Sequence, residues 1–310
     1  MRLLTTPDLP ELGELCEREE FFWLDLDDPD RGTVALVGEM LGLHKLAIED
    51  TQEFGQRPKV DTYGDQLLLV YFGVGEDPDG LPEPVEVHMH ISGRFVLTVH
   101  RDRCRQFDRA RELLDRHPPE TEQTLVYRVI DSLTDSILDV MDRVAARVEQ
   151  HESEVFNRPR ARDRDRMALL RRALGSLRRM LVVQRQVFDR AVEKIVALPG
   201  FDEDLSSYYR DIGDHLWRAI DDLETARDSL QGMLDTYANE VQERLTIVAT
   251  IFLPLTVITG FFGMNFNWLI SHIGSAWTFF GLGIGGLVVS GLAIYLWLIR
   301  SGLYHGPRSG

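Results

Sequence analysis

The sequence predicts a mixed α/β domain, followed by a stalk of long helices and a C-terminal two-helix transmembrane hairpin. Three patterns carry this reading. Short β-branched and aromatic runs bordered by Gly, Pro and Asp fill residues 1–119, helical periodicity fills 120–244, and two uncharged apolar stretches lie within 245–299. Residues 300–310 form a short tail of the 310-residue chain.

In the first region FFWLDL (21–26), LLLVYFGV (67–74), VEVHMHI (85–91) and FVLTV (95–99) read as strands. TVALVGEMLGL (33–43) and DRARELLDRH (108–117) read as helices, and His117-Pro118-Pro119 closes the region. From Glu120 to Glu243, breaks near Arg158-Pro159 and Leu198-Pro199-Gly200 leave three long helices. The last carries Leu205, Tyr209, Ile212, Leu216, Ala219, Leu223, Ala226, Leu230, Met233, Tyr237 and Val241 at spacings of three and four. Such a heptad seam is expected to seek partners, which predicts a parallel homo-oligomer around this helix. No strong stop signal precedes Pro254, so a rod from Asp202 through Phe262 would be about 90 Å long.

Leu245 to Phe262 and Ala276 to Ile299 contain no charged residue. A hydrocarbon core about 30 Å thick needs roughly 20 helical residues, so each stretch is long enough to cross a bilayer. The loop 263–275 joins them as an antiparallel hairpin. Arg244, Arg300 and Arg308 flank the hairpin while its loop has no Lys or Arg, which puts both ends in the cytoplasm and the loop outside. No secretory signal is visible ahead of the first apolar run, so the large N-terminal region is expected to stay cytosolic.

The net charge of −16 excludes a generic nucleic-acid binder, which needs a basic surface, and an acidic face concentrates cations instead. The two cysteines, Cys16 and Cys104, lie far apart and offer neither a disulfide framework nor a metal-ligand spacing. No Walker motif, GxSxG, HExxH or dinucleotide fingerprint is present, so neither an enzyme nor a nucleotide partner is expected. His88 and His90 share a strand face, but an isolated HxH is more often structural than a metal site.

Continuing the three-four stepping into the first span yields a stripe of Asn239, Gln242, Leu245 or Thr246, Ala249, Leu253, Thr256, Gly260 and Gly263. Apart from the leucines it is small or polar. Small residues on a membrane helix also serve tight helix packing, but amides and hydroxyls recurring at several depths suit a hydrated cation.

Gly263-Met264-Asn265, directly after the first span, resembles the GMN signature of the CorA family of divalent-cation (Mg2+) transporters. NEVQERLTIVATIFLPLTVITGFFGMNF (239–266), LGLHKLAIEDTQEFGQRPKV (41–60) and YYRDIGDHLWRAIDDLETARDSLQGMLDTY (208–237) are similar to stretches of that family, so the likeness covers most of the chain. The resemblance implies a funnel-shaped homopentamer in the bacterial inner membrane. Gly263, Met264 and Asn265 would form its selectivity filter, with Asn239, Leu253 and Thr256 facing the pore. It also implies that Asp211 holds a regulatory Mg2+ between subunits, with a partner in the turn Glu76-Asp77-Pro78-Asp79; Asp77 is the candidate. The loop FNWLISHIGS lacks the Pro-Glu pair of many members, the stalk is shorter between Tyr237 and Asn239, and the tail lacks a Lys cluster. The expected function is passive Mg2+ transport, with Co2+ or Ni2+ as further ions. The rival readings are a Zn2+ transporter of the ZntB branch and a non-conducting, membrane-tethered coiled-coil scaffold.

Overall fold

Alternating apolar side chains along Gln66–Glu76 bury both faces of one strand, and the rest of the N-terminal region is layered around it. The structure, a computed structural model, describes residues 2–5, 9–18, 20–102, 104–119, 121–157, 161–201, 205–264, 272 and 275–300. Its strands are β1 (Arg2–Thr5), β2 (Phe22–Asp27), β3 (Lys59–Tyr63), β4 (Gln66–Glu76), β5 (Pro82–Ile91) and β6 (Phe95–His100). They form one sheet in the order β1-β2-β6-β5-β4-β3. β1, β2 and β6 run parallel, and β6 to β3 continue antiparallel.

On one face, α1 (Leu9–Arg18) and α2 (Arg31–Met40) pack on Leu4, Phe22, Leu24, Phe95 and Leu97. Beside them, α3 (Lys45–Gln52) lays Ala47 on Leu68 and Val70. On the other face lie α4 (Arg105–Arg116), α5 (Glu122–Asn157), α6 (Ala161–Val196) and the long helix α7 (Ser206–Phe262). Leu67, Leu69 and Tyr71 of β4 join that second cluster, as the two-residue period of a strand requires. Gly73 lets α5 approach: a Cβ there would sit 2.8 Å from Ser136 Oγ, the atom that accepts the Val74 N–H at 2.9 Å.

Two buried polar devices fasten the helices to the sheet. Asp25 accepts from Thr98 Oγ1 at 2.6 Å and from Arg111 of α4 at 2.8 Å, and Trp23 Nε1 donates to the same Thr98 hydroxyl at 2.9 Å. Burial alone would raise the Asp25 pKa, yet His100, Thr98 and Arg111 together hold it below the usual carboxylate value. The second device is Gln184 of α6. β3 pairs with β4 only as far as Val70, and beyond that point Phe72 turns its N–H and C=O away from β5. Gln184, fully buried, accepts that N–H at 2.8 Å and donates to that carbonyl at 2.9 Å, standing in for the missing strand.

The strands expected at 21–26, 67–74, 85–91 and 95–99 and the helices expected at 33–43 and 108–117 match β2, β4, β5, β6, α2 and α4 to within a few residues. The seam of α7 has a different use from the one expected. From Tyr209 to Met233 its apolar positions are buried in the chain's own core against α5 and α6. They are not a free face for a second copy, so the seam by itself does not argue for an oligomer.

Residues 1–234 form one compact unit and residues 235–310 a second. In the second unit the apolar part of α7 has a mean hydropathy of 1.7 and none of it is buried. Its Pro254 removes one backbone donor without ending the helix. The second expected span is helical but uneven: Ala276–Thr278 and Phe279–Ile284, the latter with π geometry, lead into α8 (Gly285–Arg300). Glycines at 281, 283, 285 and 286 weaken the regular α-helical ladder there.

Replacing Gln184 with Leu is expected to leave two buried backbone groups of Phe72 unpaired, at roughly 1–3 kcal/mol each. A clear drop in the thermal midpoint of the purified protein checks this, and an unchanged midpoint would show that Gln184 is dispensable.

Candidate functional site

The second half of α7 supplies one candidate surface. At 100° per residue, Asn239, Gln242, Leu245, Ala249, Leu253, Thr256, Gly260 and Gly263 fall within an arc of about 120°. All are exposed in the single chain, Leu245 at 65% and Leu253 at 68%. The threonines of this region donate their hydroxyl protons to the helix itself. Thr246 Oγ1 donates to Gln242 O at 2.9 Å, Thr250 to Thr246 O at 2.8 Å, Thr256 to Phe252 O at 2.8 Å and Thr259 to Leu255 O at 3.0 Å. A hydroxyl bonded in this way presents only acceptor lone pairs outward. α7 ends where Gly263 N–H donates to Thr259 O at 2.9 Å and Met264 N–H to Phe261 O at 3.3 Å. Asn265 lies outside the described residues, as do 266–271.

The first unit holds a second candidate, where α5 faces α7. Ligand atoms of Asp131, Asp135 and His215 all lie within 4.8 Å of one another. Each helix contributes an i, i+4 pair: Asp131 with Asp135, and Asp211 with His215, whose Nε2 is 3.7 Å from Asp211 Oδ2. Tyr127 stacks edge-on against Tyr208 and Tyr209 and fixes the register of the two helices. Burial, and then the Asp135 charge, push the Asp131 pKa up to about 6. Asp135 is raised chiefly by burial, with the Asp211 charge adding to it and His215 opposing both. Burial and the Asp131 charge also push Tyr127 up to about 12. His215 Nδ1 is buried with no hydrogen-bond partner. Asp131 is half-buried, whereas Asp135 and Asp211 are exposed, the Asp211 side chain at 63%.

The donor set fits a divalent cation. Carboxylate oxygens suit Mg2+, and an imidazole nitrogen beside them suits Co2+, Ni2+ or Zn2+ better. The sequence singled out Asp211, which is not one of the three grouped ligands, and did not single out Asp131, Asp135 or His215. Their only signal is the pair of i, i+4 spacings, which gains meaning once α5 is known to pack on α7.

In the turn 76–79, Glu76 is held by Arg143 at 3.0 Å and Arg147 at 2.8 Å. Asp77 Oδ1 accepts from Asp79 N at 2.9 Å and Leu81 N at 2.7 Å, capping its own turn. The paired histidines are employed within the sheet. His88 Nε2 meets Glu86 Oε1 at 2.7 Å and its ring stacks on Phe54, while His90 Nε2 meets Thr51 Oγ1 at 2.8 Å. Burial drives the His90 pKa down to about 3.

Comparison with known proteins gives a consistent picture. A family profile described as CorA-like Mg2+ transporter protein matches residues 18–300. The cobalt/magnesium transport protein CorA of Thermotoga maritima is 31% identical over 80% of this chain and 74% of its own. The zinc transport protein ZntB of Yersinia enterocolitica is 25% identical over 80% and 77%. Among solved structures, the CorA magnesium transporter of Methanocaldococcus jannaschii superposes with a TM-score of 0.66 at 22% identity, over 91% of each chain.

The Asp131 pKa, about 6 when folded against 3.8 for the free group, means that folding favours its protonated form. The stability it adds is complete below 3.8 and gone above about 6. The metal-free protein is therefore expected to gain thermal stability as pH falls from 7 to 5. Asp131→Asn should start higher at pH 7 and show a flatter profile; identical profiles would contradict the assigned strain.

Proposed function

The chain belongs to the family of CorA-like Mg2+ transporter proteins, divalent-cation transporters of the membrane and not enzymes, and from that premise we propose that it conducts Mg2+ passively, down its electrochemical gradient. The observation that carries this is the stripe on α7, uncharged, with Thr246 and Thr256 presenting acceptor lone pairs. The outermost atoms of a hydrated cation are the hydrogens of its water shell, and acceptors meet them without stripping the ion. Fixed carboxylates would hold the ion too tightly, and Lys or Arg would repel it. With a negative interior, a divalent ion gains about 4.6 kcal/mol per 100 mV on entry.

In this reading five copies surround a shared axis, and Asn239, Gln242, Leu245, Ala249, Leu253, Thr256 and Gly260 line it. Gly263, Met264 and Asn265 select the ion at its outer end, the loop faces outward and both termini are cytoplasmic. A cation held by Asp131, Asp135, Asp211 and His215 relieves the repulsion among three carboxylates and favours the closed state, so internal Mg2+ limits its own entry. The partner contribution from the 76–79 turn falls to Asp77 or Asp79, because Glu76 is taken up by two arginines.

The Zn2+ reading is favoured by the likeness to ZntB and by the nitrogen donor of His215. Mg2+ stands ahead of it because Gly263-Met264-Asn265 is intact and the cobalt/magnesium relative is more similar. Family membership sets aside the non-conducting scaffold.

Ion flux into reconstituted vesicles tests the proposal. Wild type should carry Mg2+ and lose conduction when internal Mg2+ is high. Asn265→Ala should lose most flux with assembly preserved, and Asp211→Ala should keep conducting at high internal Mg2+. Zn2+ uptake driven by a pH gradient and indifferent to Mg2+ would overturn the Mg2+ assignment.

A further inference from the structure

The motif Gln56-Arg57-Pro58-Lys59-Val60 resembles a family stretch, and the transport reading uses none of it. Most of its residues have local tasks. The Gln56 side chain donates to Glu53 O at 2.8 Å and its backbone N–H to Glu86 at 3.2 Å, Pro58 is buried, and Lys59 pairs with Asp50 at 2.6 Å. Arg57 is exposed and has no ion pair among the described residues.

Arg57 lines a groove of about 570 Å³ where the 56–58 loop and the edge of β4 and β5 face α6. Its floor is apolar, made by Pro58, Phe72, Pro84, Met180 and Val183. Arg178 and Arg179 of α6 also line it. Glu224 neutralises Arg178 through a hydrogen bond from Nε at 2.6 Å, whereas Arg179 has no ion pair among the described residues. Two uncompensated guanidiniums thus share one concave surface in a chain of net charge −16. Like charges held around a low-dielectric floor repel, and a bound anion removes that cost. Guanidinium forks match phosphate oxygens bidentately, and the volume falls within the range of small-ligand sites.

We propose that this groove binds a soluble organic polyphosphate, its phosphates between Arg57 and Arg179 and a planar apolar body on Phe72, Pro84 and Met180. No hydrolysis is involved, which agrees with the lack of a Walker motif. The binding is independent of which cation the chain carries.

Calorimetric titration of the full-length protein in detergent and EDTA, with adenosine triphosphate as the probe, tests this. Saturable binding of one probe per chain is expected, about tenfold or more weaker in Arg57→Glu/Arg179→Glu. Arg190→Glu, on the exposed side of α6 and outside the groove, should bind like wild type. Inorganic pyrophosphate, lacking a planar body, should bind about tenfold more weakly than the nucleotide. No saturable binding, or equal binding by the double variant, would overturn the site. Pyrophosphate or glycerophosphoinositol bisphosphate binding as tightly as the nucleotide would overturn the planar-body assignment.

Discussion

The continuity of one backbone ladder is the constraint on which the rest depends. α7 runs from Ser206 to Phe262 as a single helix, and its two halves meet opposite demands. In the first half, Tyr209 to Met233 bury an apolar stripe against α5 and α6. In the second, the environment must accept a helix with no charged side chain from Leu245 to Phe262, and an unpaired polar group in hydrocarbon costs several kcal/mol. The threonines at 246, 250, 256 and 259 meet that demand by donating inward. Their polarity then remains only as outward acceptors, which is the chemistry a hydrated cation needs.

The same helix carries the unfavourable interaction proposed for regulation. Asp131 and Asp135 stand one turn apart on α5 where it faces α7, with Asp211 nearby; His215 opposes the repulsion, and at Asp131 the Tyr127 hydrogen bond does so too. A metal-free protein therefore holds strain that either a proton or a divalent cation can release. Protons and cations compete for these oxygens, so cation affinity should weaken as pH falls through the region where Asp131 titrates.

The fold was legible where periodicity is strong. β4 and β6 read clearly because they are β-branched, apolar and bounded by turn residues. β1, α1, α3 and β3 escaped notice for physical reasons: RLLT is four residues long, α1 contains Pro10, and KVDTY is a half-polar edge strand. The seam on α7 was visible, but its partner was not, since a heptad fits a helix of the same chain as well as one from a neighbour. The apolar stretches that suit membrane spans were legible from hydropathy, and the proposed filter rests on the motif Gly263-Met264-Asn265 alone. The cluster of Asp131, Asp135 and His215 was hidden, because two i, i+4 pairs some 80 residues apart mean nothing until a tertiary contact joins them.

Cysteine accessibility along α7 tests most directly whether the stripe lines an ion path. With Cys16 and Cys104 replaced, single cysteines at Ala249 and Thr256 should let a charged thiol reagent block cation flux in vesicles. Cysteines at Ile251 and Ile258, on the opposite face of the helix, should leave flux unchanged. Block at Ile251 and Ile258 with none at Ala249 and Thr256 would contradict the account.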